Sequence, residues 1–106
     1  MRVLLDECVP KRLRQELSGH SVRTAVEMGW AGVKNGALLR LAAPAFDCFL
    51  TVDRNLQFQQ DVAELPLAVI VLHAVGNDLP SLLPLMPSVR AALSQLKPGQ
   101  LVDVRV

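Results

Sequence analysis

Five short apolar runs, separated by segments with turn or helix signals, constrain the fold of this chain more than any other feature. The runs are VLL at 3–5, SVRTAV at 21–26, DCFLTV at 47–52, PLAVIVLHAV at 66–75 and LVDVRV at 101–106. Their length and their β-branched residues favour strands over helices. The inner runs are nearly all apolar, which is typical of parallel strands buried on both faces, and the alternating last run predicts a half-exposed edge strand.

Helix signals occupy the segments between the runs. Leu13 and Leu17 are four residues apart behind a proline that suits a first helical turn. Pro44 ends a second helical pattern, for which Asn35 or its neighbour is the predicted N-cap. The predicted helices are residues 10–17, 37–46, 53–65 and 78–96, the last punctuated by prolines. This alternation predicts an α/β fold: a three-layer sandwich with a mostly parallel central sheet.

Composition narrows the class of protein. The chain has 106 residues, enough for an ordinary core, and we expect one domain spanning residues 1–106. Apolar residues make up 51% and charged residues 20%, which excludes a disordered chain. No apolar run reaches the ~18 residues that span a bilayer, and the first run is too short for a signal peptide. These features predict a cytoplasmic protein that makes no membrane contact, with its two cysteines as reduced, buried thiols.

Carboxylates follow two of the predicted strands. Asp6 and Glu7 come directly after the first run, and Asp53 comes after the third. The ligand site of such a sheet lies at the carboxyl ends of its strands, at the switch point in strand order. Clustered carboxylates there can hold Mg²⁺ or Mn²⁺, which suits phosphodiester hydrolysis. Spacing alone leaves open the alternative that these acids are only polar residues at strand ends.

Further candidates are more ambiguous. Glu27 follows the second run by a turn and is either a third acid of the site or a surface glutamate. His20 and His73 have no metal-ligand or triad spacing, which predicts structural roles. Basic side chains in the same half fit a phosphate backbone and equally fit solvated helix faces. They are Lys11, Arg12, Arg14, Lys34, Arg40 and Arg54.

Four stretches resemble short PIN-like proteins, which are typically bacterial and related to the VapC-type toxins of toxin–antitoxin pairs. The stretches are VLLDECVPKRL, GHSVRTAVEMGW, LLRLAAPAFDCFLTVDRNL and the closing VRV. The resemblance covers most of the chain, and the threonine–x–aspartate element at Thr51 and Asp53 is its most specific part. It implies a metal-dependent endoribonuclease that acts on RNA, binds an antitoxin protein and forms a homodimer.

The resemblance also implies roles for individual residues. Asp6 and Asp53 would hold Mg²⁺ or Mn²⁺, with Glu7 as a further candidate ligand. Glu27 and Asn35 would complete the catalytic group or orient water. Independently of the resemblance, the basic side chains near the acids that we expect to contact the RNA phosphates are Arg54, Lys11, Arg12 and Lys34.

Two departures from the family pattern suggest alternatives. Asn35 and Asn55 stand where family members often carry aspartate, and the loss of two charges weakens metal binding. A catalytically weak or inactive PIN-like binding module is therefore the first alternative. The second is a receiver-like phosphoacceptor domain, which also places acids after its first and third strands. It further needs a hydroxyl residue after the fourth strand, which is missing here, and a lysine, which Lys97 only mimics.

Overall fold

A five-stranded parallel sheet forms the centre of the computed structural model, which describes residues 1–54 and 62–105 except for the side chain of Asn35. The strand order is β2-β1-β3-β4-β5, and every neighbouring pair is parallel. This is a doubly wound order whose switch point lies between β1 and β3. The strands are β1 (Arg2–Leu5), β2 (Ser21–Thr24), β3 (Cys48–Thr51), β4 (Ala68–His73) and β5 (Leu101–Arg105).

Successive residues of the inner strands point to opposite faces of the sheet, and each face carries its own apolar cluster. Cys48 and Leu50 pack on one face, and Phe49 packs on the other. Burial on both faces explains why the inner strands are nearly continuous apolar runs. The α/β three-layer sandwich predicted from the sequence is confirmed, and β5 lies at a sheet edge with a half-exposed pattern, as predicted.

Helical segments cover the two faces. The first face packs against the 3₁₀ helix Lys11–Glu16 and against two helices, α2 (Leu79–Leu82) and α3 (Met86–Leu93), which the 3₁₀ turn Leu83–Leu85 joins. The second face packs against α1 (Asn35–Ala42) and the 3₁₀ turn Val62–Glu64. No helix of the described residues has the length and apolar character needed to cross a membrane.

One of the predicted helices differs from an α-helix. The first of them is a 3₁₀ helix, because its N–H groups donate to carbonyls three residues earlier in the chain. The N–H of Leu13 donates to the carbonyl of Pro10, and the N–H of Leu17 donates to that of Arg14. Two leucines four apart do not distinguish this form from an α-helix in so short a segment. The predicted helix at 53–65 lies mostly outside the described residues. By contrast, α1 ends at Ala42, ahead of Pro44, as predicted.

The second strand is two residues shorter than predicted, and a local hydrogen-bond pair explains where it ends. The backbone N–H of Thr24 donates to Glu27 Oε1 over 2.9 Å, and the N–H of Glu27 donates to Thr24 Oγ1 over 3.1 Å. This reciprocal pair, like a capping box, favours a turn over further strand. Ala25 and Val26, predicted as strand, therefore belong to that turn.

Candidate functional site

The sheet register brings Asp6 beside Thr51. β1 pairs with β3 so that Leu5 lies opposite Leu50, and the N–H of Asp6 continues the ladder by donating to the Leu50 carbonyl over 3.0 Å. Asp53 follows Thr51 by two residues. Both predicted acids therefore lie at the carboxyl edge of the sheet, on the two strands that flank the switch point.

Asp6 is a buried carboxylate, only 7% exposed. Its Oδ2 accepts from Thr51 Oγ1 at 2.7 Å and from Cys8 Sγ at 3.4 Å, while Oδ1 accepts from the N–H of Glu7 at 2.9 Å. None of these donors is positively charged, and no cationic side chain among the described residues forms an ion pair with Asp6. Burial of an ionised carboxylate is costly without a positive partner. The position is therefore suited to a cation.

Thr51 links the two acids. Its side chain is fully buried, and its hydroxyl donates to Asp6 while accepting from the N–H of Asp53 over 3.0 Å. The hydroxyl thereby fixes the start of the loop that carries Asp53. Sequence reasoning noted Thr51 only as part of a motif and not as a site residue. The available signal was a lone hydroxyl at the end of an apolar strand, directly before the acid.

Glu27 is tied to other partners than this pair of acids. Arg14 donates to Glu27 Oε1 over 2.7 Å, and the same oxygen accepts from Thr24. The Thr24 N–H, followed by the Arg14 guanidinium, holds the pKa of the Glu27 carboxyl below its usual value. Within the described residues, these contacts give Glu27 a role in ending β2 and in orienting the Arg14 guanidinium.

Glu7 and the start of α1 approach the same edge of the sheet. Glu7 is exposed, and its Oε1 accepts from the N–H of Gly32 over 3.1 Å, which holds the loop after β2 near the end of β1. Lys34, exposed, is the N-cap of α1, which begins at Asn35. The side chain of Asn35 and the whole of Asn55 lie outside the described residues.

Three of the four bases predicted to bind RNA form two groups, one on either side of the acids. Lys11 and Arg12 are exposed on the 3₁₀ helix beyond β1, where Lys11 lines a depression together with Glu7 and Glu27. Arg54 lies on the other side, and its guanidinium donates to the carbonyl of Ala74 after β4. Positive charge therefore lies on both flanks of the two acids.

Sequence reasoning also missed a histidine–aspartate pair on the Arg54 side. His73 Nε2 lies 2.6 Å from Asp103 Oδ1, and the register places His73 opposite Arg105 on β5. His73 was predicted to be structural and Asp103 had no assigned role. Alternation within LVDVRV puts Asp103 and Arg105 on one face, but only the strand register shows that they meet His73.

The acids at this edge offer a divalent cation an open set of ligands. No three His, Cys, Asp or Glu side chains of the described ranges converge in a group that could hold a metal ion. Mg²⁺, however, commonly binds through one or two carboxylates, several waters and substrate phosphates rather than an all-protein cage. Asp6 and Asp53 fit that second mode and not a closed multi-ligand site.

The two cysteines form no disulfide, as predicted, but their burial differs. Cys48 is buried in β3, and this burial raises the pKa of its thiol to about 12. Cys8 is half-buried, and its pKa is also raised, first by burial and then by the charge of Asp6. Because the thiolate is the reactive form, we expect a thiol reagent at pH 8 to label Cys8 slowly and Cys48 more slowly still. Rapid labelling of both thiols at equal rates in the folded protein would contradict this placement. The unfolded chain, in which both thiols are exposed, is the control.

Comparison with protein-family models, with curated proteins and with solved structures finds no match to this chain. The fold and the site together define a doubly wound parallel α/β domain with two carboxylates at its switch point. The PIN-like relationship stays a prediction that rests on the sequence stretches quoted above.

Proposed function

We propose that this chain is a metal-dependent ribonuclease of PIN-like type, with Asp6 and Asp53 as its metal ligands. The observation that carries the proposal is the buried Asp6 carboxylate, which has three neutral donors and no cationic partner among the described residues. Its position at the switch point, beside the strand that Asp53 follows by two residues, supports the same function.

The chain's own residues would prepare the site for an RNA strand. Thr51 holds the Asp6 carboxylate in one orientation and fixes the backbone of Asp53. Lys11 and Arg54 would bind phosphates on opposite sides of the acids. A bound Mg²⁺ or Mn²⁺ would supply an activated water and stabilisation of the leaving oxygen.

A PIN-like binding module that is weak or inactive is the second candidate. The observation that favours it is the absence of any three-ligand acidic group among the described residues. Glu27, which would supply a third carboxylate, is instead engaged by Arg14 and Thr24. Both candidates are compatible with an antitoxin partner and with a homodimer, as the resemblance implies.

The receiver-like alternative loses support from the position of Lys97. The strand order agrees with that fold. However, Lys97 precedes β5 and lines a depression with Met1 and Asp47, at the amino edge of the sheet. Lys97 therefore lies at the edge of the sheet opposite Asp53. A receiver-like site needs its lysine at the same edge as Asp53.

Metal dependence separates the two main candidates. We expect the purified protein to cleave single-stranded RNA with Mn²⁺ and to lose this activity in EDTA, because two carboxylates alone provide no strong nucleophile. Gel analysis of the products measures cleavage, and calorimetry with Mn²⁺ measures binding.

Each outcome distinguishes the candidates. Mn²⁺ binding without cleavage would favour the binding module. Cleavage that continues unchanged in EDTA would contradict a metal-dependent nuclease. A heat-denatured sample controls for contaminating metal-independent ribonuclease, which commonly survives such treatment.

A further inference from the structure

We propose that Arg54, His73 and Arg105 form a phosphate-binding cleft at the carboxyl ends of β3, β4 and β5, and that its ligand is a phosphate of an RNA strand. Phosphate recognition follows from the cleft itself. Only the assignment of that phosphate to RNA rests on the proposed function. The cleft lies beside the acidic centre, because Arg54 directly follows Asp53.

The cleft is open and has a volume of about 550 Å³, which gives a phosphate group and an attached nucleotide room to enter. Its lining residues are Arg54, His73, Ala74, Val75 and Arg105. Val75 is fully exposed at its rim. The three polar lining side chains are therefore all of the basic type, whereas the depressions near Lys11 also include Glu27.

Two arginines approach the cleft from different strands. Arg54 leaves the end of β3 and is held over β4 by the Ala74 carbonyl, and Arg105 ends β5. β3 and β5 are two strand spacings apart, roughly 10 Å, so two long side chains can face one phosphate from opposite sides. Guanidinium groups present paired N–H donors that match phosphate oxygens, and they stay charged at all relevant pH.

His73 contributes a ring that Asp103 orients. The distance between His73 Nε2 and Asp103 Oδ1 is 2.6 Å, so the carboxylate holds the imidazole ring in one orientation at the cleft. Asp103 partly offsets the positive charge of the cleft, but the two arginines still leave it net positive.

The test measures binding of a short single-stranded RNA to the full chain in EDTA, so that cleavage does not interfere. We expect Arg105→Ala to weaken binding about tenfold at low salt, as the loss of one charged hydrogen bond would. The slope of log Kd against log salt should fall by about 0.7, the value for one single-strand phosphate contact. Arg54→Ala should act in the same direction.

Arg40→Ala is the matched control, because Arg40 is an exposed arginine on α1, away from the cleft. Equal weakening by Arg40→Ala and Arg105→Ala would show only general charge attraction and would overturn the proposal. Wild-type affinity in both Arg105→Ala and Arg54→Ala would also overturn it. Melting temperatures of all three variants establish that they remain folded.

Three ligands identify the phosphate: inorganic phosphate as a competitor, a 5′-phosphorylated RNA, and the same RNA with a 5′-hydroxyl. Arg105-dependent binding of both RNAs assigns the cleft to backbone phosphodiesters, and binding of the 5′-phosphorylated RNA alone assigns it to a terminal phosphate. Arg105-dependent binding by a protein that shows no Mn²⁺-dependent cleavage would support the cleft while removing the nuclease. Mn²⁺-dependent cleavage that stays unchanged in Arg105→Ala and Arg54→Ala would support the nuclease and contradict the cleft.

Discussion

Asp6→Asn combined with Asp53→Asn is expected to lower the rate of Mn²⁺-dependent RNA cleavage by about 100-fold or more. Residues that only support metal ligands already cost 10- to 100-fold when changed, and this variant removes both carboxylates that we assign as ligands. The rate is measured with RNA in excess at saturating Mn²⁺. The amide side chains are close to the carboxylates in shape, so the buried position beside Thr51 stays filled.

Asp47→Asn is the matched control, since it removes a carboxylate at the opposite edge of the sheet, where Asp47 pairs with Arg2 at 3.1 Å. We expect it to cleave like the wild type. Asp53→Asn alone, at a half-buried position, tests the site again if the double variant does not fold. Persistent cleavage by a folded double variant would remove Asp6 and Asp53 from the mechanism.

Phe49→Ala is expected to destabilise the fold by about 3–5 kcal/mol, the usual cost of removing a buried aromatic ring. Phe49 is fully buried at the centre of β3, between Leu4 of β1 and Val69 of β4 in the register. In a chain with few aromatic residues, neighbouring aliphatic side chains fill such a cavity poorly. Urea unfolding measures the free energy, and the melting temperature should fall by more than about 10 °C.

Val75→Ala provides the comparison for this substitution, because Val75 is fully exposed in the loop after β4. Its free energy of unfolding should stay within about 0.5 kcal/mol of the wild type. A loss below about 1 kcal/mol in Phe49→Ala would mean that the second face of the sheet is not packed as described.

Much of the sheet could be predicted because burial leaves a direct pattern in the sequence. The run VLL and the alternating LVDVRV correspond to β1 and β5. The end of β2 could not be predicted from SVRTAV, because the Thr24–Glu27 hydrogen bonds compete with strand continuation and leave no apolar signal. The 3₁₀ form of the first helix was hidden for a similar reason, since Leu13 and Leu17 bury equally well in either helix type.

The site was partly predictable for a geometric reason. Parallel strands deliver whatever follows them to one edge, so Asp6 and Asp53 could be placed together without knowledge of side-chain contacts. The partners of Glu27 and of His73 could not, because these depend on which turn closes over Arg14 and on the register of β4 with β5. Residue types alone carry no information about such pairings.

The Asp6–Thr51 hydrogen bond joins residues 45 positions apart, and this separation has a consequence during synthesis. β1 is an inner strand whose neighbours β2 and β3 both come later in the chain. Parallel pairing over such distances forms slowly, because the intervening loop must close first. A nascent chain that has not yet released β3 from the ribosome thus has no paired carboxylates. The carboxylate edge of the sheet is therefore assembled only once about half of the polypeptide has emerged.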